Sequence, residues 1–319
     1  MKRRRVTHGK EKWVLNGISL YPMIVADNTK VYMSPTSEDY RLKCYSVLTG
    51  DLLWSAVPNH TYFFSSVNLP ITMDSNYVYI GNNYEDAKEQ SWIWLEIYDK
   101  SGNYINSVTI PVQSGQTQLM DIFVDATDIY LAAASGWDSV DNGIYKISKS
   151  DYTVTHISSI DTWSITEFNN ILYALQYNAV VMIDKVSYVA TTFVTISSFS
   201  RGSTGNLIRI YVNNDYIYFM VPYSNSEEFY IYNHQATLIR NFNTSGGSVP
   251  LISFENDYFY MWKYRTDTYP LVLTDVNFNI KMSYPNNYSI CSMTKNSKYI
   301  FTAYHSSSST SRFLQCTVK

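Results

Sequence analysis

The sequence predicts an all-β chain of seven repeated four-stranded units, and three observations carry that prediction. Strand-forming aromatics are abundant, with Tyr 30, Phe 14 and Trp 7 among 319 residues. Helical periodicity is missing over any useful length, while short alternating runs bounded by Gly, Asn and Asp turns recur throughout. One phrase repeats: a polar turn with Asn or Asp, then an alternating run centred on Tyr. It reads Lys30-Val31-Tyr32-Met33, Tyr77-Val78-Tyr79-Ile80, Asp128-Ile129-Tyr130-Leu131 and Ile171-Leu172-Tyr173-Ala174. It continues as Tyr216-Ile217-Tyr218-Phe219, Tyr258-Phe259-Tyr260-Met261 and, more loosely, Lys298-Tyr299-Ile300-Phe301. Positions 32, 79, 130, 173, 218, 260 and 300 mark the copies, with gaps of 47, 51, 43, 45, 42 and 40. That period is the period of propeller blades. The predicted fold is a single seven-bladed β-propeller over residues 1–319.

Each element follows in order. Met1-Lys2-Arg3-Arg4-Arg5 has the charge of a secretory signal but no apolar core after it, so residues 1–10 read as a basic arm and a cytoplasmic or virion location is expected. Residues 11–16, around Trp13-Val14-Leu15-Asn16, precede the inner strand of blade 1 (Tyr21 to Ala26) and have no place in that blade. After Ile300 only 19 residues remain, enough for one strand, Arg312 to Val318. The seventh blade therefore lacks an outermost strand, and residues 11–16 are predicted to supply it, closing the ring and covering an open edge.

Blade 2 shows the pattern within one copy. Leu69 to Met73 reads as the inner strand A and Tyr77 to Gly81 as B. Trp92 to Tyr98 follows as C, with Trp92, Trp94 and Glu96 alternating against Ile93, Leu95 and Ile97. The turn Asp99-Lys100-Ser101-Gly102-Asn103 leads to D, Tyr104 to Ile110; its Gly and Asn supply positive-φ positions.

Leu42-Lys43-Cys44-Tyr45-Ser46-Val47-Leu48-Thr49-Gly50-Asp51-Leu52-Leu53-Trp54 resembles the quinoprotein-type propeller repeat, in which a strand leads through Thr-Gly to a Trp that docks on the neighbouring blade. Asp99-Lys100-Ser101-Gly102 is a weaker copy without the Trp. The resemblance implies the fold and speaks against the quinone cofactor, because quinoprotein dehydrogenases have eight blades and an adjacent cysteine pair. The Gly-His…Trp-Asp signature of WD repeats and the double glycine of kelch repeats are absent. The Tyr-, Ser- and Asn-rich, charge-poor composition looks like that of structural proteins from viruses of thermophilic archaea.

Several function classes drop out. A net charge of −3 argues against a protein devoted to nucleic acid, leaving Lys2, Arg3, Arg4 and Arg5 as the one patch suited to an acidic partner. No apolar run reaches the ~18–20 residues of a membrane span. Cys44, Cys291 and Cys316 have no metal-type spacing and are expected unpaired. His8, His60, His156, His234 and His305 are scattered, and no cofactor or metal site is expected. Ser139-Val140-Asp141-Asn142-Gly143 resembles the start of a sialidase Asp-box, without its closing Trp.

The connections sort by side. A–B and C–D turns are tight, whereas the long ones all join B to C or D to the next A. Among them are Val57 to Val67, Asn82 to Ser91, Pro111 to Thr117, Ala134 to Asn142, Val194 to Asn206, Phe242 to Ser248, Tyr264 to Pro270 and Tyr304 to Ser311. Long loops on a rigid scaffold are where binding resides. Tyr84, Trp137, Asp138, Tyr264, Tyr269 and His60 fall there and are the candidate contacts, since Tyr and Trp anchor interfaces and stack on sugars. The expected function is non-enzymatic binding of a protein or glycan, as a structural or surface-attachment component. The alternative is a hydrolase or lyase with carboxylates, or His60 and His305, at the channel mouth.

Overall fold

The computed structural model describes residues 11–18, 22–36, 39–59, 69–85, 91–112, 117–135, 140–197, 209–223, 226–245, 254–255, 258–262, 271–277, 279–284, 289–305 and 312–319. Among them there is no helix. They form seven four-stranded antiparallel sheets in two compact units, Met1–Pro58 with Val249–Lys319 and Asn59–Ser248.

The first unit begins with β1 (Glu11–Asn16). Sheet 1 follows, with β2 (Ile24–Ala26), β3 (Lys30–Met33), β4 (Leu42–Ser46) and β5 (Leu52–Ala56). The second unit holds sheet 2, β6 (Ile71–Met73), β7 (Tyr77–Glu85), β8 (Ser91–Asp99) and β9 (Tyr104–Val112), and sheet 3, β10 (Gln118–Val124), β11 (Asp128–Ala134), β12 (Gly143–Ser148) and β13 (Val154–Ser158). Sheet 4 is β14 (Thr162–Phe168), β15 (Ile171–Gln176), β16 (Ala179–Asp184) and β17 (Ala190–Thr195). Sheet 5 is β18 (Arg209–Val212), β19 (Tyr216–Tyr223), β20 (Ser226–Asn233) and β21 (Leu238–Ser245). Returning to the first unit, sheet 6 is β22 (Phe254–Glu255), β23 (Tyr258–Trp262), β24 (Leu271–Thr274) and β25 (Ile280–Tyr284). Sheet 7 is β26 (Ser289–Lys295), β27 (Tyr299–His305) and β28 (Arg312–Val318), completed by β1.

The repeated phrase has a local cause. In five sheets the Asp or Asn of the A–B turn folds its side-chain oxygen back onto the two N–H groups opening strand B. Asp27 accepts from Thr29 and Lys30, Asp74 from Asn76 and Tyr77, and Asp125 from Thr127 and Asp128. Asn213 accepts from Asp215 and Tyr216, and Asn296 from Lys298 and Tyr299. This Asx turn sets the register of each A–B hairpin from within a few residues.

Between sheets the core is built by alternation along strand B. In β11, Ile129, Leu131 and Ala133 face the cluster shared with sheet 2, while Tyr130 and Ala132 face sheet 4. Both sides are covered, so strand B reads as an unbroken apolar run. Polar stitches reinforce the stacking. Register shifts in β10 and β14 precede Asp121 and Ser164. The Asp121 carboxylate accepts from Ser164 Oγ (2.7 Å) and Ile165 N (3.2 Å), and Ser164 Oγ accepts from Ile210 N (3.1 Å). In the first unit Ser292 does the same for Ile24 N (3.1 Å).

On the tight-turn edge, Lys149 of sheet 3 reaches Asp74 of sheet 2 (2.8 Å), and Lys185 of sheet 4 reaches Asp125 of sheet 3 (2.6 Å). Burial alone would raise the Asp74 pKa. Hydrogen bonds from Lys149, Tyr79 and the Tyr77 and Asn76 amides outweigh it and bring the carboxyl from 3.8 down to about 2. A carboxylate depressed in the folded state stabilises fully above its unfolded pKa and loses that contribution as pH falls from 3.8 towards 2. Asp74→Asn is therefore expected to flatten the fall of stability over that interval. Urea midpoints measured from pH 5 downward check it, and identical acid slopes in both proteins would show that the pair contributes nothing.

The N-terminal strand closes sheet 7 where the sequence places it. β1 runs antiparallel to β28, with Trp13 opposite Cys316 and Leu15 opposite Leu314. Trp13 also reaches sheet 1: its Nε1 donates to the Val47 carbonyl (3.0 Å), and its ring lies on the Gly50 turn, where an added Cβ would come within 2.9 Å. Gly50 has φ +81, so the turn needs glycine twice over, for conformation and for room. Trp54, the aromatic of the quinoprotein-like phrase, lies tilted against Tyr32 within its own sheet, 5.9 Å between centroids.

Several expected loops are strand. Residues 82–85 belong to β7, with Asn82 opposite Trp94 and Tyr84 opposite Trp92, and Ser91 already opens β8. Pro111 and Val112 extend β9, Val194 and Thr195 end β17, residues 242–245 extend β21, and Tyr304 and His305 belong to β27. The reason is that the backbone ladder runs on past the apolar alternation from which strand ends are read in a sequence. Cys44 and Cys316 are buried, and burial pushes the Cys316 thiol up to about 12. Cys291 lies in β26, two strands from Cys316 in sheet 7; its side chain is outside the described residues.

Candidate functional site

Among the described residues, the built-up end of sheet 3 is the place where long connections meet. The chain leaves β11 at Ser135 and returns at Asn142, bracketing residues 136–139, which carry Trp137 and Asp138. Both brackets are buried and tied together. Asn142 Nδ2 donates to Ser135 Oγ (3.0 Å), and Thr117 Oγ1 donates to Asn142 Oδ1 (3.2 Å). The Ser135 N–H donates to the buried carboxylate of Asp161 (3.2 Å). Thr117 precedes β10 and Asp161 precedes β14, so three separate connections share one hydrogen-bonded chain.

The return is clamped from the outer strand as well. His156 on β13 stacks on Tyr145 at 4.4 Å between centroids, and its Nε2 lies 3.0 Å from the Asn142 carbonyl. The Tyr145 hydroxyl donates to the Asp141 carbonyl (2.7 Å). Burial raises the Tyr145 pKa, helped by the Asp141 charge, which keeps the phenol a donor. Gly143, with φ +122, lets the backbone pass against Ser158. The Asp-box-like phrase 139–143 is thus the return of a B–C connection into β12.

A second root sits in sheet 2. Glu96, placed by alternation with Trp92 and Trp94, is buried, and its Oε2 accepts from Tyr98 Oη (2.6 Å) and from the Asn59 N–H (3.2 Å). Burial, then the Glu96 hydrogen bond, pushes the Tyr98 pKa far up. Asn59 is the last described residue before the segment that contains His60.

Of the six contacts expected from sequence, Tyr84 stands in strand β7 rather than in a loop. Trp137, Asp138, Tyr264, Tyr269 and His60 lie outside the described residues, as do Lys2, Arg3, Arg4 and Arg5. Among the described residues no group of three or more His, Cys, Asp or Glu side chains is arranged to hold a metal ion, and no helix is long and apolar enough to cross a membrane. Sequence reasoning missed Thr117, Ser135 and Asp161. Only the Asn142-Gly143 dipeptide signalled the turn.

No protein-family model matches the chain, and no curated protein does. Solved structures do match. A chain of the mitotic checkpoint complex superposes with a TM-score of 0.66 at 10% identity, over 100% of this chain and 95% of that one. The WD40 domain of coronin from Toxoplasma gondii gives 0.61 at 7% identity, over 98% and 87%. BamB from Moraxella catarrhalis gives 0.58 at 12% identity, over 93% and 84%. The fold is a β-propeller. At such identities the likeness concerns architecture alone. The Gly-His…Trp-Asp signature of WD repeats is missing from this chain, in which Asx turns set the A–B register and carboxylate and hydroxyl hydrogen bonds join neighbouring sheets.

Proposed function

We propose that this single propeller domain, residues 1–319, is a non-enzymatic binding scaffold that engages a protein or glycan partner through its B–C and D–A connections. Trp137 and Asp138 are its leading contacts, and Tyr84, Tyr264, Tyr269 and His60 are the others. The observation that carries this reading is the buried Thr117–Asn142–Ser135–Asp161 chain. It fixes Ser135 and Asn142, the described residues that flank the sequence stretch carrying Trp137 and Asp138, and a fixed base lowers the ordering cost of binding. One structurally similar chain belongs to an assembly, the mitotic checkpoint complex, which is in keeping with a binding role. The Tyr-, Ser- and Asn-rich, charge-poor composition supports a structural or virion role.

The test is a paired substitution. Trp137→Ala is expected to weaken a glycan or protein complex by about 1–2 kcal/mol, roughly tenfold in Kd, as removal of an aromatic anchor does. Asn170→Gly, in the A–B turn of sheet 4 and compatible with its φ of +64, should leave binding intact. Titration of both variants against hits from an immobilised glycan array and against co-purifying proteins decides the matter. Equal losses, or none from Trp137→Ala, would end the case for this site.

A further inference from the structure

We propose that Asn16 is a site of spontaneous covalent modification, converting to aspartate and isoaspartate through a cyclic imide at the end of the closing strand. The sequence holds two Asn-Gly pairs, Asn16-Gly17 and Asn142-Gly143. An asparagine side chain can close a small ring onto the next backbone nitrogen, and a following glycine, having no Cβ, leaves that nitrogen open to approach. In the reaction the Gly17 nitrogen gives up its proton and attacks Asn16 Cγ. The N–Cγ bond forms, the Cγ–Nδ2 bond breaks, and ammonia leaves with that proton. Water then opens the imide. Addition at Cγ yields aspartate, and addition at the former backbone carbonyl yields isoaspartate. No electrons are gained or lost, and water is the sole co-reactant.

The fold separates the two pairs. Asn16 ends β1 as an exposed residue. Gly17 has φ +74, and among the described residues nothing stands within 4 Å of where its Cβ would be. Ring closure there meets no neighbour. Asn142 is 2% exposed, its Nδ2 donates to Ser135 Oγ (3.0 Å), and its Oδ1 accepts from Thr117 Oγ1 (3.2 Å). Both ends of that amide are committed, so turning it onto the Gly143 nitrogen breaks two buried hydrogen bonds. Gly143 is itself pressed against the Ser158 backbone. The same dipeptide is reactive in one place and shielded in the other.

The reactive copy falls where the ring is closed. Asn16 stands opposite Phe313 in the β1–β28 ladder. Isoaspartate routes the backbone through the former side chain, adding a methylene to the strand, and either product adds a carboxylate. Pairing depends on register, so the extra backbone atom puts the end of β1 out of step with β28. The closing strand therefore loosens as the protein ages.

Incubation of the folded protein at mildly alkaline pH, followed by peptide mapping with mass spectrometry and enzymatic methylation of isoaspartate, tests this. Modification is expected at Asn16 about tenfold or more faster than at Asn142, because a buried amide reacts only from opened states. Asn16→Gln should abolish the signal at its own position and leave Asn142 unaffected. In urea the two sites should convert at comparable rates, and a difference that persists there would assign the selectivity to sequence and overturn the proposal. Equal rates in the folded protein would overturn it as well, as would an Asn16 that stays intact while the unfolded chain converts. The converted fraction separates from its parent on an anion exchanger by its added negative charge. Hydrogen exchange over Val14–Asn16 should be faster in that fraction, and an unchanged rate would overturn the loosening of β1.

Discussion

Removal of residues 1–16 is expected to yield a chain that aggregates or melts well below the intact protein. Without β1, strand β28 becomes the open edge of sheet 7, and Phe301, Leu314 and Cys316 lose the cover of Trp13 and Leu15. Full burial of such side chains is worth roughly 1.5–3 kcal/mol each. Trp13 and Leu15 are half-buried, so with the lost ladder and the Trp13–Val47 hydrogen bond the cost is about 3–5 kcal/mol. Tyr299 loses its partner too, since Lys12 donates to its hydroxyl (2.9 Å) and lies 4.1 Å from its ring centre. Differential scanning fluorimetry with light scattering checks the outcome. A truncated chain that is monomeric and melts with the parent would show that β1 does not close the sheet energetically.

Gly143→Ala is expected to destabilise by a similar amount, for a different reason. A Cβ at that position would lie 1.8 Å from the Ser158 carbonyl oxygen and 2.6 Å from its carbon. Both are backbone atoms of β13, so relief requires moving a strand rather than rotating a side chain. The φ of +122 adds conformational strain that only glycine avoids. Strain and overpacking each cost about 1–3 kcal/mol, which together make roughly 2–6 kcal/mol. Urea unfolding measures it directly, and an unchanged midpoint would refute the close approach. Because Asn142 precedes this residue, the same variant should also accelerate hydrogen exchange at the Ser135 amide.

How much of this was legible in the sequence depended on how local the physics is. The Asx turns act across two or three residues, so the Asp/Asn-then-Tyr phrase could be read directly and counted. The place of β1 was legible by subtraction, because sheet 7 was one strand short and one strand had no sheet. The loop base was not legible. Thr117, Ser135, Asn142 and Asp161 come from three connections and are residue types that abound in this chain; only folding brings them within 3.0–3.2 Å of their partners. Tyr84 was misplaced because the run Gly81-Asn82-Asn83 looks like a turn. Asn83 is instead a buried ladder residue whose Oδ1 accepts from Leu119 N at 2.8 Å, linking β7 to sheet 3.

The pairing of β1 with β28 has a consequence for biosynthesis. Strand β1 leaves the ribosome long before its partner β28 is made, with 295 residues between Asn16 and Arg312. At about 5–20 residues per second, the chain between them takes roughly 15–60 s to appear. Through that interval a nascent segment bearing Trp13, Val14 and Leu15 has no edge to join, while sheets 2 to 5 can already stack on one another. Completion of the fold is therefore a late, long-range docking step. A chaperone or ribosome-bound factor that shields β1 until β28 has been made would raise the yield of native protein without touching its final stability.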